Sequence, residues 1–156
     1  MAMAMTLREY LRSQDIDYEE VRHPRAISAD HIAEQSHITG DQLAKAVMLH
    51  GDSGNRLAVV PGSCDVDMVR LTELMHERLR LASEEEIQRH FDDCDPGATT
   101  PLGQAYGLEV WVDDRLTAEP DIYFEAGDHE TLVHMSGRDF QKLMASMPHG
   151  HFSLHH

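Results

Sequence analysis

The apolar run Leu43-Ala44-Lys45-Ala46-Val47-Met48-Leu49 is followed, beyond the polar segment Asp52-Ser53-Gly54-Asn55, by Arg56-Leu57-Ala58-Val59-Val60. Two runs of strand length joined by a segment of turn composition predict an antiparallel hairpin. Lys45 is the exception inside it. The chain otherwise uses arginine for positive charge, with eleven Arg against two Lys. An unpaired buried ammonium is costly, so Lys45 must either snorkel to water or meet an anion. It is therefore a candidate anion-binding or catalytic group.

Around this hairpin the sequence predicts short elements of both kinds. Thr6-Leu7-Arg8-Glu9 reads as a capping box opening a helix with Leu7, Tyr10 and Leu11 on one face. Tyr18 to Arg22 reads as a strand ending at His23-Pro24, because the residue before a proline is pushed toward extended backbone. Ser28 can cap a helix running to about Ser36, Asp67 one carrying Met68, Leu71, Leu74 and Met75, and Ser83-Glu84-Glu85-Glu86 is a second capping box. Short strands are expected over 79–82, 108–112, 121–124 and 131–135, and a last helix over 139–145. The fold class is α/β, a single domain over 1–147 with a mixed, largely antiparallel sheet. Residues 148–156 are histidine-rich and aperiodic, and are expected to form a flexible tail.

At 156 residues one domain suffices. The formal charge of −15 argues against broad affinity for phosphate backbones, which is driven by clustered Lys and Arg. No apolar run is long enough to span a bilayer, so no membrane partner is expected. Met1-Ala2-Met3-Ala4-Met5 lacks the features of a secretory signal, and Cys64 and Cys94 read as free thiols, so the expected location is cytoplasmic.

There is no Gly-x-Ser-x-Gly elbow, and Asp65 and Asp67 would raise rather than lower a Cys64 thiol pKa. The twelve histidines lack metal-ligand spacing, so neither a metal nor another cofactor is expected. The loop Gly97-Ala98-Thr99-Thr100-Pro101-Leu102-Gly103 is more informative. Glycines at both ends and a rigid proline let backbone N–H groups approach a ligand, and Thr99 and Thr100 add hydroxyl donors. His129 lies in the turn Gly127-Asp128-His129-Glu130, where the adjacent carboxylates of Asp128 and Glu130 can hold its imidazole.

Taken in order, the Lys45 run, Leu57-Ala58-Val59-Val60-Pro61-Gly62, Leu81-Ala82-Ser83-Glu84-Glu85-Glu86, the Pro96 to Gly103 loop, and Tyr123-Phe124-Glu125-Ala126-Gly127-Asp128-His129-Glu130 resemble the YbaK/ProX family. These are aminoacyl-tRNA deacylases related to the editing insertion domain of prolyl-tRNA synthetase. The resemblance spans about His23 to Leu143 and implies a sheet curled toward a barrel with helices around it. It implies hydrolysis of a mischarged aminoacyl-tRNA, with the acceptor end as partner and prolyl-tRNA synthetase as a candidate partner. The family lysine falls on Lys45, the Gly-x-x-x-Pro loop on Gly97 to Pro101, and a late histidine on His129. That histidine looks more like the alanyl-tRNA(Pro) branch. An aminoacyl ester is already activated, so a catalyst needs only to orient water or the vicinal hydroxyl and stabilise the oxyanion. The catalytic set expected is Lys45, Gly97, Thr100 and His129. His23, Met48 and Val60 are expected to line a size-excluding pocket, with Thr99, Pro101, Gly103, Gly127 and Asp128 as further binding residues. Ala46, where many relatives carry a hydroxyl residue, departs from the pattern. The competing expectation is a non-catalytic aminoacyl-tRNA or synthetase-binding module of the same fold; a hydrolase of another ester or acyl-amino-acid conjugate is a third. Oligomeric state is not legible.

Overall fold

The computed structural model describes residues 3–26 and 28–155. In chain order its elements are α1 (Met5–Ser13), β1 (Glu19–Arg22), α2 (Ala29–Gln35), β2 (Ala44–Gly51), β3 (Gly54–Pro61), β4 (Cys64–Val66), α3 (Met68–Met75), β5 (Leu79–Leu81) and α4 (Glu84–His90). There follow β6 (Glu109–Asp113), β7 (Asp121–Glu125), β8 (Thr131–Ser136), α5 (Gly137–Leu143), β9 (His149–Gly150) and β10 (Ser153–His155).

The hairpin forms as expected, with Ala44 opposite Pro61, Lys45 opposite Val60 and Gly51 opposite Gly54. Because side chains alternate along a strand, its two faces enter different cores. Ala44, Met48, Leu57 and Val59 pack into the main core with Leu7, Leu11, Phe124 and Phe140. Leu49, Ala58 and Val60 pack instead against Leu71, Met75 and Phe152. The hairpin is the centre of a five-stranded sheet in the order β5-β2-β3-β6-β9, beside a three-stranded sheet β1-β8-β7 and the pair β10-β4.

Five of the seven strand pairs among the described residues are antiparallel; β3 with β6 and β6 with β9 are parallel. The mixed, largely antiparallel sheet is thus as expected, but the curled, barrel-like closure is not. A barrel needs a continuous hydrogen-bonded ladder. Here β5 and β9 end the larger sheet, and the two larger sheets meet through one isolated parallel bridge, Leu43 to Tyr123.

Local capping signals are expressed where their partners lie in the same segment. The side chains of Ser28, Asp67 and Ser83 accept backbone N–H groups of α2, α3 and α4, and Ser83 with Glu86 completes a capping box. Thr6 does not cap α1, which starts earlier with Ala4 at its N-cap; the Thr6 N–H donates instead to Asp93 at 2.9 Å. Residues 148–155 also depart from the expected aperiodic tail. His149–Gly150 extends the large sheet, Ser153–His155 pairs with β4, and Phe152 between them is 1% exposed. Burying a phenylalanine is worth roughly 1.5–3 kcal/mol, enough to hold so short a segment against the core. His156 and Met1-Ala2 lie outside the described residues. No helix of the described residues is long and apolar enough to cross a membrane.

Candidate active site

Where the N-terminal end of β2 meets the Gly97 loop and the end of β7, a cavity of about 180 Å³ opens. Its lining is small on most sides, with Ala29, Ala44 and Ala46 beside Ile32 and Leu43, and carries chemistry at Lys45, Gly97, Thr99 and Glu125. Three residues expected at a site therefore meet here, together with one that was not expected.

Lys45 is placed by its position beside Val60 at the strand end, with its side chain about a quarter exposed. Its ammonium donates to the Cys64 carbonyl at 2.6 Å and lies 3.8 Å from Asp65. The cation is neither buried alone nor simply solvated: a backbone acceptor and a neighbouring carboxylate hold it, and neither of these partners lines the cavity.

Gly97 has φ +83°, which strains any other residue, and a β-carbon there would also crowd the His129 ring, at 3.3 Å from Cε1. The Ala98 N–H closes the turn onto Asp95 O at 3.0 Å, and the Thr100 N–H donates to the Cys94 thiol, whose pKa is pushed up to about 12, chiefly by burial. Thr100 is fully buried and its hydroxyl accepts the Leu102 N–H. Thr99, not Thr100, presents its side to the cavity.

Glu125 is the residue that sequence reasoning missed. It ends β7, is 9% exposed, and lines the cavity. His23 Nε2 lies 3.9 Å from one carboxyl oxygen and His129 Nδ1 lies 3.7 Å from the other. His23 Nδ1 bonds to the Pro24 carbonyl at 2.7 Å and His129 Nε2 to the Pro96 carbonyl at 2.6 Å. Burial, and then the negative charge of Asp128, push the Glu125 carboxyl up to about 8. A local sequence signal was present, a carboxylate four residues before a histidine at a strand end followed by Ala-Gly; its other neighbour, His23, is distant in sequence.

The remaining expected residues lie elsewhere. His129 is buried behind Glu125, with φ +61°, and does not line the cavity; its carboxylate neighbour is Glu125, not Asp128 or Glu130. His23 flanks the other side of the same carboxyl. Met48 and Val60 cannot share a pocket, because they face opposite sides of the hairpin and enter different cores. Pro101, within the loop, is buried and does not line the cavity. Gly103 is a packing glycine: a β-carbon there would be 2.9 Å from Val110 and 3.0 Å from Leu57. Gly127, with φ +108°, lets Ala4 approach, where a β-carbon would meet it at 2.9 Å. Asp128 is fully buried within its own turn. Among the described residues no three His, Cys, Asp or Glu side chains are placed to hold a metal ion.

A model of the aminoacyl-tRNA editing domain matches residues 23–143. No curated protein matches the chain significantly. Among solved structures, the chain superposes with TM-score 0.85 on a "putative trans-editing enzyme for prolyl tRNA synthetase", at 20% identity over 97% of this chain and 96% of that one. It superposes equally, at 0.85, on a scaffold used for computational grafting of linear epitopes, at 19% identity over 97% of both chains. A protein described as hypothetical matches at TM-score 0.84, with 16% identity over 96% of this chain and 99% of that one. At these identities the likeness is one of fold.

Proposed function

Because the chain belongs to the aminoacyl-tRNA editing domain family, we propose that it hydrolyses the ester of a mischarged aminoacyl-tRNA carrying alanine or another small amino acid. The observation that supports this reading is the convergence of Lys45, Gly97, Thr99 and Glu125 on one cavity whose other walls are small side chains.

In this mechanism the Lys45 ammonium exchanges Asp65 for the phosphate of the terminal nucleotide, one anion for another at the cavity mouth. The loop meets the ester carbonyl. Since the Ala98 and Thr100 N–H groups are used within the protein, the oxyanion falls to Gly97 and Thr99, the loop residues that line the cavity. The attacking oxygen is that of a water, oriented by the neighbouring ribose hydroxyl; its addition to the ester carbonyl releases the ribose oxygen as a hydroxyl and the amino acid as its carboxylate, and no protein nucleophile is needed. His129 acts as a positioning residue: its bond to Pro96 O fixes the start of the loop, and its other nitrogen faces Glu125. The alanines at positions 29, 44 and 46 leave room for a methyl-sized substituent and exclude larger ones by size. The charge of −15 offers no platform for the tRNA body, so contact is confined to the acceptor end, with prolyl-tRNA synthetase a candidate for delivering it.

The test is deacylation of a panel of end-labelled aminoacyl-tRNAs, including Ala-tRNA(Pro), Cys-tRNA(Pro) and Ser-tRNA, by wild type and Lys45→Ala. Hydrolysis of one small species, lost in the variant, is expected. Hydrolysis at the spontaneous rate for every species, with tRNA or synthetase binding preserved, would instead identify a binding module.

A further inference from the structure

The Glu125 cluster is short of donors. Carbonyl oxygens only accept, so the ring nitrogens bonded to Pro24 O and Pro96 O are the ones that carry the N–H in neutral His23 and His129. The nitrogens turned toward Glu125 are then acceptors. His23 Nε2, His129 Nδ1 and both carboxyl oxygens of Glu125 are buried and lack a hydrogen-bond partner among the described residues. With Glu125 ionised, four acceptors converge with no donor between them, and a proton on the carboxyl would supply one donor at most; the gaps of 3.7 and 3.9 Å are too long for hydrogen bonds. A buried polar group left in that state is costly unless something else completes it. Lys45, the cation among the residues that line the cavity, is committed to Cys64 O and Asp65. Of the four acceptors' residues, only Glu125 lines the cavity.

A ligand that completes this cluster must enter through the cavity, be small, and bring several donors on one atom. An α-ammonium group does so, with three N–H donors and a charge opposite to the carboxylate. We propose, on the basis of the deacylase reading, that Glu125 receives the α-ammonium of the aminoacyl ester, with His23 and His129 flanking the carboxyl on its buried side. Ammonium at Glu125 and phosphate at Lys45 give the substrate two charged anchors at different parts of the cavity wall. The ester carbonyl between them is then presented to the loop carrying Gly97 and Thr99. One consequence is selectivity that side-chain size does not supply. An N-acylated ester, the chemical form of peptidyl-tRNA, has no ammonium and is rejected.

Two measurements on the full chain test this. Wild type should hydrolyse alanyl-tRNA with a kcat/KM roughly 10- to 100-fold above that for N-acetylalanyl-tRNA, the range expected of a hydrogen-bonded charge pair. Glu125→Gln keeps the shape of the side chain without the charge, and should collapse that ratio to a few fold while the protein stays folded. Equal hydrolysis of both substrates by wild type, or a ratio unchanged in Glu125→Gln, overturns the ammonium site but leaves the deacylase standing. The second measurement does not depend on turnover: binding of 3′-alanylamino-3′-deoxyadenosine, with an amide in place of the ester, and of its N-acetyl derivative. If no aminoacyl-tRNA is hydrolysed, the deacylase reading fails. A binding preference for the free amine that disappears in Glu125→Gln still supports the site, and equal or absent binding overturns it.

Discussion

Two buried carboxylates three residues apart, Glu125 and Asp128, have opposite surroundings. The Asp128 carboxylate accepts the Glu130 N–H at 3.0 Å, the Thr131 N–H at 2.8 Å and the Thr131 hydroxyl at 2.9 Å. Burial alone would raise its pKa, but these bonds and the nearby charge of Arg22 hold it below the usual carboxylate value. Glu125 has no donor among the described residues and is pushed up to about 8. Burial is common to both; the supply of donors is not. A carboxylate whose oxygens are filled by its own turn is architecture, whereas one left open on a cavity wall is available to a ligand.

The contrast is sharpest in stability. Asp128→Ala strips the acceptor from three donors and should cost about 3 kcal/mol or more in urea unfolding at neutral pH; a loss under about 1 kcal/mol would erase the distinction between the two residues. Next in size is a pH effect. The raised pKa of Glu125 means that its contribution to stability is fully present below the ordinary carboxylate value of 4.5 and is lost as pH rises through about 8. Wild type should lose on the order of 2 kcal/mol relative to Glu125→Gln between about pH 5 and pH 8. Parallel profiles for the two proteins over that window would contradict it. Asp128, with its pKa lowered, contributes in the opposite sense: its stabilisation is present above the ordinary carboxylate value and lost as pH falls through the lowered one.

Smaller effects distinguish the loop from its support. Gly97→Ala forces a side chain into positive φ against the His129 ring and should cost about 1–2 kcal/mol, with deacylation reduced further by displacement of the loop. Unchanged thermal stability would show that the ring and loop are not in contact. The least change in stability is expected of Thr99→Val, within about 0.5 kcal/mol, because Thr99 is only partly buried. Its kcat/KM should nevertheless fall about tenfold if its hydroxyl serves the reacting carbonyl.

Much of the fold was legible because its causes are local. The hairpin, the caps at Ser28, Asp67 and Ser83, and the strands expected over 108–112, 121–124 and 131–135 each depend on residues within one segment. What escaped depends on distant partners. Thr6 lost its capping role when Asp93 reached its N–H from another segment. The parallel pairings of β6, and the anchoring of the last residues by Phe152, have no signature in their own sequence. At the site, Lys45, Gly97 and Thr99 were recognisable by residue type and setting, whereas Glu125 was not. Alternation along β7 buries Ile122 and Phe124, which would place Glu125 on the outer face; it is buried because the strand ends there, the following turn brings His129 back against it, and His23 reaches it from another part of the chain. The same alternation separates Met48 from Val60, and should have excluded them from one pocket.

The central claim, that this cavity is where the aminoacyl ester sits, is tested most directly by a crystal structure with 3′-alanylamino-3′-deoxyadenosine 5′-phosphate bound. The alanyl group is expected beside Ala44 and Ala46, its ammonium on Glu125, its carbonyl against Gly97 and Thr99, and the phosphate at Lys45. The analogue seated elsewhere, or in this cavity with its phosphate toward Glu125, would contradict it.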